Sequence, residues 1–296
     1  MGGNILKKDE EINRNHRNKL KEIIQEKAIK SVYQPIVSLK DGSIYGYEAL
    51  SRIDLDECCL NIGEIFELAE KCEMLLDLEK LCNEISLQCA TNKPSNAKLF
   101  LNVDPNILAN KEFKDRLSNN YLKKYNLSSN DIIFEATERT AIEDINSFEL
   151  ALNHYRKEGF NIAVDDVGSA YSSIGRVCSI TPKFIKIDMA IVRDIHKNQY
   201  KKSLLGALSR FATDVGAFII AEGVESNEEL ETLINLGVDY AQGFYWSRPE
   251  YNFCELEKCH VEEIKFFNKK HLNNSYNNFI REAKAFLNLL NDNINN

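Results

Sequence analysis

Short apolar runs with a two-residue alternation recur along the chain, separated by stretches whose apolar positions fall three and four apart. Eight runs are expected as strands: SVYQPIV (31–37), SIYGYEAL (43–50), KLFLNV (98–103), DIIFEAT (131–137), NIAVDDV (161–167), KFIKID (183–188), AFIIAEG (217–223) and VDYAQGF (238–244). Lys40-Asp41-Gly42 joins the first two, a turn short enough for a hairpin, so that pair is expected to be antiparallel. Between the others lie amphipathic segments such as 62–90 and 227–238, long enough to return the chain for a parallel neighbour. No glycine-rich G-x-G-x-x-G loop follows the first strand, so the expected fold is an α/β (β/α)8 barrel of the TIM type with an antiparallel first strand. Three parts are expected: a charged helical leader over 1–28, the barrel over 29–250, and a helical extension over 251–296, read as one or two packing or dimer helices.

Charge narrows the choice of partner. The formal net charge is −8 over 296 residues, which argues against binding DNA or RNA polymers, because such binders carry basic faces. A phosphate ligand would therefore need a local cation. The eight cysteines form no C-x-x-C pair, and Cys72, Cys82 and Cys89 sit in apolar helical stretches; reduced core thiols are expected. No segment approaches the roughly 18 apolar residues that span a bilayer, so no membrane partner and a cytoplasmic location are expected.

Ionisable groups and amides gather where the expected strands end, which is where barrel enzymes place their chemistry. Gln34 lies in the first run and Glu48 ends the second, followed by Asn102, Glu135, Asp165 with Asp166, Lys186, Glu222 and Gln242. Closing a barrel brings the five carboxylates together, and two unit charges 5 Å apart repel by about 3 kcal/mol at an effective dielectric near 20. Such a cluster needs cations. All-oxygen donors without histidine or cysteine suit Mg²⁺ or Mn²⁺, and adjacent Asp165 and Asp166 suit a carboxylate bridge between two ions. Lys186 either orients an attacking water or balances the acids. Arg52, two residues beyond Leu50, is placed to fork onto a phosphate or to form a structural ion pair.

These motifs resemble the EAL-domain cyclic di-GMP phosphodiesterases from about Tyr33 to Pro249. YQPIVSLKDGSIYGYEALSR is similar to the family's opening, with Glu48-Ala49-Leu50 followed by Arg52. FLNV, FEATE, VDDVGSAYSS, FIKID, IIAEGVE and AQGFYWSRP follow in the family's order. The resemblance implies that Glu48, Asn102, Glu135 and Asp165 hold one metal ion, and Asp165, Asp166 and Glu222 the second. It further implies catalytic roles for Lys186, Glu222 and Glu48, substrate contacts from Gln34, Leu50, Arg52 and Gln242, and a loop-anchoring role for Glu138. The implied reaction is opening of cyclic di-GMP to linear 5′-pGpG, by a chain that pairs as a homodimer. The alternative it implies is a catalytically weak receptor that binds cyclic di-GMP and signals through a partner. Val167, Ser169 and Ala170 depart from the family's loop pattern, and 53–66 lacks its H-P-x-x-G.

Overall fold

The computed structural model describes residues 16–55, 60–137, 145–169 and 174–294. Eight strands form a closed barrel in sequence order: β1 (Ile29–Ser38), β2 (Ile44–Ile53), β3 (Lys98–Asn102), β4 (Ile132–Thr137), β5 (Asn161–Val167), β6 (Phe184–Ile187), β7 (Phe218–Ala221) and β8 (Tyr240–Ala241). β1 runs antiparallel to both of its neighbours, and the remaining pairs are parallel. The helices are α1 (16–25), α2 (Ile62–Lys71), α3 (Leu75–Cys89), the short turns α4 (Pro105–Leu108), α5 (Lys111–Arg116) and α6 (Asn119–Leu122), then α7 (Ile145–Lys157), α8 (Ile174–Ile180), α9 (Met189–Val192), α10 (Gln199–Val215), α11 (Asn227–Asn235) and α12 (Lys258–Ile294).

Strand alternation explains how one interior can be both dry and charged. Ile36, Phe100, Ile133, Ala163, Phe184 and Ile220 form a buried cluster, against which Tyr45, Phe218 and Tyr240 pack. Phe184 is its hub, with ring centroids 5.6 Å from Tyr45 and 5.7 Å from both Phe100 and Phe218. Two residues along each parallel strand the same face carries Asn102, Glu135, Asp165, Lys186, Glu222 or Gln242. On antiparallel β1 the order reverses, and Gln34 precedes Ile36. Gly46 leaves room for this floor, since a Cβ there would lie 2.7 Å from the Lys98 carbonyl oxygen and 3.0 Å from the Phe100 ring. An apolar plug thus closes one end of the barrel and leaves a polar layer at the other.

Two strand boundaries differ from the expected ones. Glu48 does not end β2, which continues to Ile53. β3 pairs only with Gly46 to Ala49, whereas β1 pairs with β2 as far as Ile53, so Leu50 and Arg52 ride on a two-stranded ribbon beyond the rim. The expected 238–244 run shrinks to Tyr240–Ala241, because the chain turns against the segment after β7: a Cβ on Gly243 would come within 2.1 Å of the Val224 carbonyl oxygen.

Parts of both extensions pack onto the barrel. Leu20 and Ile23 of α1 are fully buried with Ile65 and Ala69 of α2, Leu78 and Leu81 of α3 and Ile29 of β1. The C-terminal segment forms one 37-residue helix, α12, whose Ile264 and Phe267 join the main core and whose Asn268 Nδ2 donates to the Leu39 carbonyl at 2.7 Å. Among the described cysteines all are free; Cys82 is buried as expected, whereas Cys89, Cys178 and Cys259 are exposed. Cys58 and Cys59 lie outside the described residues. No described helix is long and apolar enough to cross a membrane.

One buried acid ties α3 to the rim. Glu79 accepts the Asp104 backbone N–H at 3.1 Å and the Asn83 side-chain amide at 3.2 Å, and it is 4% exposed. Burial is the main cause that pushes its pKa up to about 8; the Asp104 N–H opposes it and the Asp104 carboxylate adds to it. The folded state therefore holds a proton that the unfolded chain releases near its ordinary value of 4.5, so this contribution is complete below that value and is lost as pH rises through about 8. Melting experiments should show wild-type Tm falling between pH 6 and pH 9 by several degrees more than that of Glu79→Gln, which stays neutral. Parallel pH profiles for the two proteins would refute this origin of the titration.

A second expectation concerns the approach at Gly243. Gly243→Ala forces backbone movement next to Gln242, and its Tm should drop by several degrees. An unchanged Tm would show that this turn is not constrained.

Candidate active site

The polar layer centres on Lys186. Its side chain is fully buried, and its Nζ lies 2.7 Å from Glu222 Oε1, 2.9 Å from Glu135 Oε1, 3.3 Å from Asp165 Oδ1 and 3.4 Å from Glu48 Oε2. Four strands, β2, β4, β5 and β6, and the residue after β7 thus aim charges at one point. The Asn102 amide donates to Glu48 Oε1 at 2.9 Å, while Gln242 Nε2 donates to Glu48 Oε2 at 2.7 Å and to Gln34 Oε1 at 2.8 Å. Gln34, opposite Glu48 in the hairpin register, in turn donates to the Ser247 carbonyl at 3.0 Å.

Asp166 breaks the alternation. An undistorted strand would point it away from Asp165, but its φ is +60° and the β5–β6 register shifts between Val164 and Val167. The Asp166 N–H donates to Asp165 Oδ1 at 2.9 Å. As a result Asp165, Asp166 and Glu222 each present a carboxylate oxygen within 4.8 Å of the others. Gly168 allows the chain to leave this bulge at φ +97°, where a Cβ would meet Ile191 at 2.8 Å.

Among the described residues, the Lys186 ammonium faces four carboxylates. Burial raises the pKa of Glu135 well above its ordinary value, with repulsion from Glu48 next in importance. Burial likewise pushes Glu222 up to about 8 against the pull of Lys186. Glu48 goes the other way: burial disfavours its charge, but Lys186, Asn102 and Gln242 together outweigh that and lower its pKa. For Lys186, burial favours the neutral amine, and the surrounding Asp165, Glu135, Glu222 and Glu48 overcome it to hold the proton. Glu135 is fully buried, yet its Oε2 accepts no hydrogen bond among the described residues. An orphaned carboxylate oxygen beside hard oxygen donors fits a divalent cation such as Mg²⁺ or Mn²⁺.

A cavity of 460 Å³ opens on one flank of this cluster. It shares Glu48 and Asn102 with the acid layer and extends between β2, α2 and α3, where Leu50, Arg52, Phe66 and Asp104 line it. The Arg52 guanidinium donates to the Ser51 carbonyl at 2.8 Å. All the singled-out residues from Gln34 to Gln242 therefore converge on one end of the barrel, except Glu138, which lies outside the described residues together with Ala170. Glu79 and Asp104 were not anticipated in the cavity wall. The only trace of Glu79 in the sequence is a carboxylate on the apolar face of an amphipathic helix, between Leu78 and Leu81.

The EAL domain family model matches residues 17–249. The chain is 26% identical over 240 residues to the cyclic di-GMP phosphodiesterase PdeF of Escherichia coli, covering 79% of this chain and 31% of that protein. It is 30% identical over 224 residues to the cyclic di-GMP phosphodiesterase RocR of Pseudomonas aeruginosa, covering 73% and 56%. The chain thus spans between about a third and a little over half of these relatives. Among solved structures, BlrP1 of Klebsiella pneumoniae in complex with calcium and cyclic di-GMP superposes with a TM-score of 0.70 at 27% identity, covering 77% of this chain and 58% of that one. A manganese and cyclic di-GMP complex of the same protein gives the same TM-score and identity. Motif order, barrel topology and the match over 17–249 agree, and the chain belongs to the EAL domain family.

Proposed function

We propose that this chain hydrolyses cyclic di-GMP to linear 5′-pGpG with the help of two divalent cations, Mg²⁺ or Mn²⁺. The observation that carries the proposal is the convergence of the Glu48, Glu135, Asp165 and Glu222 carboxylates on the buried Lys186 ammonium, with Asp165, Asp166 and Glu222 presenting carboxylate oxygens to one another beside it. The names of the relatives and the cyclic dinucleotide complexes of the neighbours support the substrate. In this proposal Glu48, Asn102, Glu135 and Asp165 hold one ion and Asp165, Asp166 and Glu222 the other. When bound, such ions neutralise the phosphate and make a water acidic enough to attack at neutral pH.

The protein's own groups do the rest. Arg52 and Leu50, on the ribbon above the rim, receive the dinucleotide, with the guanidinium on a non-bridging phosphate oxygen. Gln34 and Gln242 fix Glu48 and border the same ligand. Glu222 orients the attacking water and takes its proton. Lys186 holds the surrounding carboxylates in place and stabilises charge that builds on the phosphate. The new bond joins the water oxygen to phosphorus, the bond from phosphorus to the 3′ oxygen breaks, and that oxygen takes a proton from solvent and leaves as a hydroxyl, which makes the ring linear. Glu138 would anchor the loop after β5. A cytoplasmic location, a homodimer and the absence of a nucleic-acid polymer or membrane partner belong to the same proposal.

Purified protein incubated with cyclic di-GMP and Mg²⁺ or Mn²⁺ should yield pGpG by chromatography, and excess chelator should stop the reaction. Intact nucleotide that nevertheless binds tightly would replace the hydrolase with a receptor. Glu48→Ala should lower turnover by at least a thousandfold and leave Tm within a few degrees of wild type, because losing Glu48 also removes its repulsion of Glu135. Retained turnover, or a collapsed fold, would contradict the role given to Glu48. Arg52→Ala should weaken cyclic di-GMP binding about tenfold to a hundredfold, as expected for a lost charged hydrogen bond; unchanged titration curves would remove Arg52 from the phosphate.

A further inference from the structure

A second donor cluster lies away from the polar layer, where α12 begins. Glu257 is the N-cap of that helix: its carbonyl accepts the N–H groups of His260 at 3.1 Å and Val261 at 3.4 Å, so the backbone that carries Glu257, Cys259 and His260 is fixed. Each of these three residues offers a donor atom within 4.8 Å of the other two. The Cys259 Sγ lies 3.5 Å from Glu257 Oε2. Ligands around a tetrahedral Zn²⁺ sit about 2.0 to 2.3 Å from the ion, which places neighbouring donors roughly 3.3 to 3.8 Å apart, within reach of small side-chain rotations.

The histidine supplies an independent observation. His260 Nδ1 is 3.3 Å from Glu263 Oε2, and that same oxygen accepts the Tyr245 hydroxyl at 2.8 Å. The Tyr245 ring packs against the imidazole with centroids 5.1 Å apart. A carboxylate that engages one imidazole nitrogen sets the tautomer and leaves Nε2 as the donor, which is the support that metal-binding histidines use. Thiolate and imidazole ligands select a softer ion than the all-oxygen layer does.

We propose that Glu257, Cys259 and His260 form a Zn²⁺ site at the start of α12, with Glu263 orienting His260 and water completing the tetrahedron. The Cys259 thiol proton leaves to solvent as the Zn–S bond forms. Bound Zn²⁺ clamps the first turn of α12 to Tyr245, three residues beyond Gln242. This site is independent of the proposed hydrolysis.

Cobalt reports thiolate ligation directly, and no described residue of the polar layer carries sulfur. The chelator-stripped full chain should, on titration with Co²⁺, develop a near-ultraviolet thiolate-to-cobalt charge-transfer band and visible absorption of tetrahedral intensity, both abolished by added Zn²⁺. Cys259→Ser should remove the charge-transfer band, His260→Gln should weaken Co²⁺ binding at least tenfold, and Glu263→Gln should weaken it about tenfold to a hundredfold. Cys89→Ser and Cys178→Ser should keep the spectrum, with circular dichroism verifying the fold of every variant. The absence of the band in the wild type, its persistence in Cys259→Ser, or undiminished binding in His260→Gln would overturn the site.

Discussion

Everything in the polar end of this barrel depends on one buried ammonium facing four carboxylates. Lys186 is wholly removed from solvent, and Glu48, Glu135, Asp165 and Glu222 all reach it within 3.4 Å. Taking charges out of water costs several kcal/mol for each ion, a cost that the contacts to Lys186 offset in part. Burial raises the pKa values of Glu135 and Glu222, and the amides of Asn102 and Gln242 both donate to Glu48. A layer built this way is a poor means of stabilising a fold.

The architecture makes such a layer possible by separating its tasks along each strand. The aromatic and aliphatic floor around Phe184 closes the barrel, so the charged positions two residues further on need not contribute packing. Reversing β1 has a further effect. Because β1 and β2 form a hairpin that outlasts the pairing of β2 with β3, Leu50 and Arg52 stand on a ribbon beside the cavity while Glu48, on the same strand, stays in the layer. A single strand thus carries one residue toward the acids and two toward whatever fills the cavity.

The barrel, its antiparallel opening and the convergence of Glu48, Asn102, Glu135, Asp165, Lys186, Glu222 and Gln242 were legible because period-two alternation and strand order determine all of them. Asp166 could be named but not aimed: its approach to Asp165 and Glu222 depends on a positive φ and a register shift that periodicity does not encode. The true ends of β2 and β8 were hidden for a similar reason, since hairpin pairing lengthens the first and the contact of Gly243 with Val224 truncates the second. Glu79 escaped notice because a buried acid on a helix looks like any other amphipathic position until its partners, Asn83 and the Asp104 N–H, are known. The grouping of Glu257, Cys259 and His260 was overlooked because that stretch reads as a polar extension, and only the helix start at Lys258 brings the side chains together.

The central proposal, that divalent cations join Lys186 in countering the acid layer, is tested most directly by the thermal stability of Lys186→Met at pH 8, with chelator and with Mn²⁺. Without the ammonium the buried carboxylates lose the counter-charge that Lys186 supplies, a loss on the order of 3 to 5 kcal/mol. The account predicts a Tm well below that of wild type in chelator, and a rise with Mn²⁺ that exceeds the rise in wild type. A variant as stable as wild type in chelator and indifferent to Mn²⁺ would contradict it.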